Sequence, residues 1–279
     1  MLVCQTFFKS IRFQCGRSIR KRLWMLPYKL VSIDISLAEE ISILLNETKP
    51  RGVPVVVTSR LPKENARDYA IRILKNNIIS LDLAPGSIIS ENEIATQLGL
   101  SRTPVREALI ELSKAYIVEI MPQNGSRILL IDYNLVEESR FLRLVLESAI
   151  IKQLCETKQP LDFSILHENL TLQDFYLNNP SPGKLLELDN QFHKELFSLA
   201  HKMRSYQWMI DGMEIHFDRV RSMSLSTIKD IKIVEDHRLL LQAIEQKNED
   251  QAVEIITSHF SRYKLDEHAI RAKYTNYFS

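Results

Sequence analysis

Beyond Asp132 the chain keeps apolar residues at helical spacing almost without interruption, and this constrains its fold more than any other feature. The pattern predicts helices over roughly 134–156, 161–177, 182–201, 205–223, 230–246 and 249–272. Breaks fall at Gln159-Pro160, at Asn178-Asn179-Pro180-Ser181-Pro182-Gly183 and at Lys247-Asn248, where Pro, Gly and Asn cannot easily continue a helix. Leu239, Leu240, Ala243 and Ile244 form one apolar stripe, and Ala252, Val253, Ile255, Ile256 and Phe260 form another. Such stripes must be buried against each other. Residues 132–279 are therefore expected to form an all-α bundle of six or seven helices. Seven Gly and ten Pro in 279 residues suit a mainly α protein and argue against a β-sandwich, which needs frequent turns.

Residues 61–131 follow a different grammar. A first helix is predicted over about 63–79, with Ala66, Ala70, Ile73, Leu74 and Ile78 on one face. Pro85-Gly86 marks a turn. Ser90-Glu91-Asn92-Glu93 then reads as a capping box opening a helix that buries Ile94, Ala95 and Leu98 and stops at Gly99. Ser101-Arg102-Thr103-Pro104 starts a third helix whose buried face is Val105, Ala108, Leu109 and Leu112. Alternating strands at 117–121 and 127–131 flank Asn124-Gly125, a strong hairpin signal. Three helices and a hairpin read as a winged helix containing a helix-turn-helix.

Arg102 and Arg106 lie four residues apart near the start of the third helix, the end that enters the major groove in helix-turn-helix proteins. An arginine there can grip guanine or a phosphate, and Thr103 with the first helical amides suits a phosphate oxygen. A solvated face paired with Glu107 or Glu111 is the plainer reading of two such arginines, and the surrounding pattern favours the first. Ser101, Arg102, Thr103 and Arg106, with the wing residues Gln123, Asn124 and Gly125, form the candidate DNA-binding set.

Charge divides the chain into three. Residues 1–60 carry a net +6, 61–130 are neutral and 131–279 carry −5, for a total of +1. A purely electrostatic nucleic-acid binder is excluded by that total. Residues 1–60 are expected to be a basic extension, disordered or not native, with one short helix at about 35–47. No apolar stretch is long enough to cross a membrane, and Cys4, Cys15 and Cys155 cannot build a disulfide framework. A reducing, cytoplasmic setting is expected, with any metal held by nitrogen and oxygen.

Histidines carry the chemical signal of the C-terminal part. Asp189 and His193 are four residues apart on one predicted helix, His237 lies on a later one and His259 on the last. One carboxylate and three imidazoles suit a divalent ion such as Zn, Ni, Mn or Fe. His201, His216 and His268 are read as histidines without a partner. A metal-dependent enzyme using the Asp/His cluster is the alternative function, though no acid–base partner stands near it in sequence. A protein-binding adaptor is a second.

The string ISENEIATQLGLSRTPVREALIELSKAYIVEIMPQNGS resembles the N-terminal winged helix of the GntR family of bacterial transcription regulators. By that resemblance Arg102, Thr103 and Arg106 contact DNA and the wing at Gly125 reaches the minor groove. Tyr116 stands where the family usually has Gly, and Asn92 where some members have a DNA-contacting Arg. LDNQFHKELF and DHRLLLQAIEQKNEDQAVEIITSHF, with Arg143 four residues before Glu147, resemble the FCD ligand domain of the FadR subfamily. That resemblance implies Asp189, His193, His237 and His259 as metal ligands and a small organic acid as effector. Arg143, Arg219 and Arg221 are the candidates to grip its carboxylate. The whole predicts a homodimeric, ligand-responsive regulator on a palindromic double-stranded operator.

Overall fold

A computed structural model describes residues 53–212, 214–227 and 232–279; the helix expected at 35–47 lies outside the described residues. Helix α1 (Ala66–Ile79) begins later than its apolar pattern suggests, because the Asn65 side chain accepts the Asp68 amide and so caps it. Its buried face is Tyr69, Ala70, Ile73, Leu74 and Ile78. Helix α2 (Glu91–Leu98) ends at Gly99, whose φ of 64° is left-handed; the Leu100 amide reaches back to the Ala95 carbonyl. Helix α3 (Arg102–Lys114) buries Val105, Ala108, Leu109 and Leu112. The capping box expected at Ser90 is not closed. Neither Ser90 nor Ser101 makes a side-chain cap bond, so neither side chain covers the first amides of α2 and α3.

Three short strands complete this part: β1 (Ile88–Ile89), β2 (Val118–Met121) and β3 (Gly125–Ile128), antiparallel in the order β1-β3-β2. The β2–β3 connection differs from the expected Asn-Gly turn. The Asn124 amide bonds the Met121 carbonyl, so Pro122 and Gln123 are the central residues, and Gln123 takes the left-handed φ of 66°. Gly125 has φ 81°, and a Cβ there would sit 2.5 Å from the Ile89 carbonyl oxygen. Pairing of β3 with β1 therefore demands glycine at this position, whatever the wing touches. Residues 53–60, expected in the extension, also belong here. Val55 joins the core, its amide donates to Gln97, and the Asn77 side chain brackets Val56 through both its amide and its carbonyl.

Eight helical segments follow among the described residues: α4 (Tyr133–Glu156), α5 (Ser164–Asn178), α6 (Pro182–Leu199), α7 (Met203–Gly212), α8 (Glu214–Thr227), α9 (Ile233–Glu245), α10 (Glu249–His259) and α11 (Arg262–Lys273). One extended apolar cluster joins them, centred on Phe192, Phe197, Val220, Leu240, Ile256 and Phe260. The helix expected over 249–272 is broken after His259, and Phe260 and Tyr263 on either side of the break are both buried. Leu239 faces solvent, and Leu241 takes its place in the core stripe. Ile215 of α8 packs into the core of the preceding α/β part. The last residues return to the same junction. The Ile131 amide donates to the Tyr277 carbonyl, the Ser279 amide donates to the Ile131 carbonyl, and Phe278 stacks on Tyr133 at 5.4 Å.

Two residues test the backbone argument in opposite directions. Tyr116 is exposed and holds a left-handed φ of 56°. Tyr116→Gly is expected to raise stability by about 1 kcal/mol in chemical denaturation. Gly125→Ala is expected to lower it by about 1–3 kcal/mol, because strain and the Ile89 contact add.

Candidate functional site

Two regions gather the chemically distinctive residues. At the start of α3, Ser101, Arg102, Thr103 and Arg106 are all exposed, and the wing presents Gln123 and Asn124 to solvent beside half-buried Gly125. Arg102 pairs with Glu91 at 3.2 Å, not with Glu107 or Glu111. Arg67 and Lys114 pair with Glu111 instead, and Arg106 makes no ion pair among the described residues. The Arg102 side chain is 66% exposed, and a pair of that kind contributes only about 0–1 kcal/mol, so an incoming phosphate or base can displace it. Asn92 is exposed as well.

The second region lies inside the bundle. Asp189 and His193 of α6, His237 of α9 and His259 at the end of α10 are all buried, and one potential ligand atom from each lies within 4.8 Å of the others. His193 Nε2 is 3.3 Å from both His237 Nε2 and His259 Nε2. With metal–nitrogen bonds of about 2.0–2.1 Å, that spacing subtends roughly 105° at a shared ion, near the tetrahedral value.

The outer nitrogens of His193 and His237 are hydrogen-bonded, and that of His259 faces a carboxylate without a hydrogen bond. His193 Nδ1 meets Glu147 Oε2 at 2.5 Å, His237 Nδ1 meets Gln173 Oε1 at 2.9 Å and His259 Nδ1 lies 3.4 Å from Asp236 Oδ2. The proton on His237 follows from a relay. Asn169 donates its amide to the Leu188 carbonyl, so its oxygen accepts from Gln173 Nε2, and Gln173 Oε1 must face His237. His237 thus carries its proton on Nδ1 and turns an Nε2 lone pair inward, and an ionised Glu147 favours the same tautomer for His193. Burial holds all three rings below the usual imidazole range, and the neighbouring arginines push the same way. Neutral rings are the metal-binding form.

Neither carboxylate oxygen of Asp189 accepts a hydrogen bond, although Arg221 lies against it as an ion pair. Arg221 offsets the Asp189 charge on one side, and the ring nitrogens that converge on its other side make a donor set that a cation would complete. The donor set fits a divalent metal with nitrogen and oxygen preference, such as Zn, Ni or Mn.

A cavity of about 190 Å³ adjoins the cluster, lined in part by Asp189, Phe217, Arg221, Ser224 and His259. The structure brings neither Arg143 nor Arg219 to it. Arg143 is buried between Glu147 (2.7 Å) and Glu214 (2.5 Å), with its guanidinium over the Phe260 ring, and so holds the carboxylate that orients His193. Arg219 points to the Leu129 carbonyl at 2.9 Å. Of the three candidate arginines Arg221 is the one in the cavity wall, tied also to Asp218 and Asn190, and Arg262 and Lys232 line the same cavity. Sequence reasoning missed the orienting residues Gln173 and Asp236 because they sit on other helices, and misread Arg143. His216, read as partnerless, bonds the Ala115 carbonyl at 2.8 Å. His201 is exposed.

Residues 67–128 match the family of bacterial regulatory proteins called gntR, and residues 138–262 match the FCD domain. The HTH-type transcriptional repressor RspR of Escherichia coli K12 is 27% identical over 225 residues, which cover 80% of this chain and 98% of that protein. An HTH-type regulator from the TAR-I ttuE-ttuC′ intergenic region of Agrobacterium vitis is 33% identical over 47% of this chain and 78% of its own length. Among solved structures, E. coli McbR/YncC superposes with a TM-score of 0.64 at 18% identity, covering 76% of this chain and 99% of that one. A GntR regulator from Rhodococcus superposes with a TM-score of 0.58 at 21% identity, covering 75% and 98%.

Buried neutral histidines make the fold sensitive to acid. His216 is pushed from 6.5 to about 4 by burial. Below pH 6.5 the unfolded chain therefore binds protons that the folded chain refuses, and stability falls until about pH 4. His216→Gln keeps both a donor for Ala115 and an acceptor for Arg219 without titrating. Thermal melts between pH 7 and 4.5 are expected to fall less steeply for this variant than for the wild type, and equal slopes would refute the assignment.

Proposed function

The chain belongs to the GntR family of transcriptional regulators and carries an FCD domain, and from that premise we propose that it is an operator-specific, homodimeric DNA-binding protein whose output answers to a small carboxylate bound beside a divalent metal. The observation that carries this reading is the convergence of Asp189, His193, His237 and His259 into one buried donor set beside a cavity walled by Arg221. A metal held by these four residues would supply a Lewis-acid anchor for a carboxylate oxygen. Arg221 offers the same anion a second positive group, and the volume of the cavity limits it to a small acid. Glu147 and Gln173 orient two of the imidazoles and keep their protons on the outer nitrogens, and Asp236 faces the third.

On the DNA side, Arg102 and Arg106 would enter the major groove, with Ser101 and Thr103 placing the first amides of α3 against a phosphate. Gln123 and Asn124 at the wing tip would approach the minor groove. Two copies related by a two-fold axis present two such heads, so the operator is expected to be palindromic. The matched families and relatives are transcriptional regulators, which decides against the metal-dependent enzyme. No helix among the described residues is long and apolar enough to cross a membrane.

Selection of bound DNA from a random pool, with and without Zn, tests the reading as a whole. On the operator so obtained, Arg102→Ala and Arg106→Ala are each expected to cost about 1–3 kcal/mol of binding if they read bases. Unchanged affinity in both would overturn the DNA-reading face. His237→Ala is expected to abolish stoichiometric metal by elemental analysis while helicity stays intact. Full occupancy in that variant would remove His237 from the ligand set.

A further inference from the structure

Arg219 is the least explained charge in the molecule. It is fully buried, faces no carboxylate among the described residues, and its Nε has no hydrogen-bond partner. Burial alone pulls it down to about 10, with no neighbouring acid to compensate. An unpaired buried guanidinium is costly to keep, so its two remaining bonds bear examination. Its Nη1 donates to the Leu129 carbonyl at 2.9 Å, and its Nη2 lies 3.3 Å from His216 Nδ1. His216 passes the grip onward, donating Nε2–H to the Ala115 carbonyl at 2.8 Å. Both acceptors are backbone groups of the winged helix, one capping α3 and the other one residue beyond β3.

The same helix serves the metal-binding cluster. Glu214, Asp218 and Arg221 of α8 bond Arg143, Asn190 and Asp189 on one side. Ile215, His216 and Arg219 lie around the helix from them and meet the winged helix. From this arrangement we infer that α8 couples the two parts: Arg219 and His216 latch the reading head to the bundle at the C-terminal end of α3 and at the base of the wing, and occupancy at the Asp189–Arg221 side reaches the head through that pair. Because the latch grips main-chain carbonyls, any shift of α8 moves the end of α3 and the base of the wing together. The inference rests on the proposed control of DNA binding from the bundle, and it adds residues that touch neither DNA nor metal.

Hydrogen exchange on the full-length chain tests it, with Zn ions alone as the probe. Arg219→Met keeps most of the volume and removes the donors. Without zinc, amides over residues 116–131 of this variant are expected to exchange about tenfold faster than in the wild type, while α6 and α9 exchange as before. Added zinc is expected to slow exchange in α6, α9 and α10 of both proteins, but in the head of the wild type only. Arg219→Lys restores one donor and is expected to fall between them, which a loss of packing alone would not produce. Wild-type head exchange in the zinc-free Arg219→Met protein, or equal zinc protection of its head, would overturn the latch. Should zinc protect neither α6 nor α9 in the wild type, the metal reading fails instead, and the zinc-free comparison still decides the latch. If Arg219→Met does not fold, the same comparisons are made with Arg219→Lys.

Discussion

Everything in the bundle is arranged around three imidazoles that converge on one carboxylate. The protein holds this group together from outside. Glu147 and Gln173 fix two of the rings from α4 and α5, Asp236 of α9 faces the third, and Arg143 fixes Glu147 in turn. Around the cluster, the buried Arg143 and Arg221 and the half-buried Arg262 stand among the five buried carboxylates Glu147, Asp189, Glu214, Asp218 and Asp236. Fully ionised, that set is short of two positive charges, the amount a divalent cation brings. Burial, with repulsion from Glu214, pushes Asp218 to about 8.

The winged helix is built on opposite terms. Its core is mostly apolar, its functional side chains are exposed, and it holds seven of the nine left-handed backbone positions among the described residues. Tyr116 shows the cost of departing from the usual glycine, since the chain turns left-handed after α3 whatever residue is placed there. Communication between the parts can pass through α8, through the 129–133 junction, and through Ile79 and Leu81, which pack on the bundle.

Much of this was legible in the sequence, because periodicity reports burial and capping residues report helix ends. The three helices of the head, the wing and most bundle helices follow from those signals, and Asp189 with His193 follows from their spacing. What the sequence hid depends on partners distant along the chain. Strand β1 has two residues and hence no period to detect. Residues 53–60 look like part of a basic tail until Gln97 and Asn77 are seen holding Val55 and Val56. The stop after His259 has no Gly or Pro to announce it. Arg143, Arg219 and Arg221 are indistinguishable as letters, yet one supports a ligand, one grips a carbonyl and one walls the cavity. The capping box failed in the other direction, since a correct motif does not oblige its side chains to close.

The end of the chain has a practical bearing. Tyr277, Phe278 and Ser279 add a short parallel bridge at Ile131, and the Arg271 guanidinium covers both Tyr133 and Phe278. A bulky group fused behind Ser279 would thus be planted against Ile131 and Tyr133, at the join between the winged helix and the bundle.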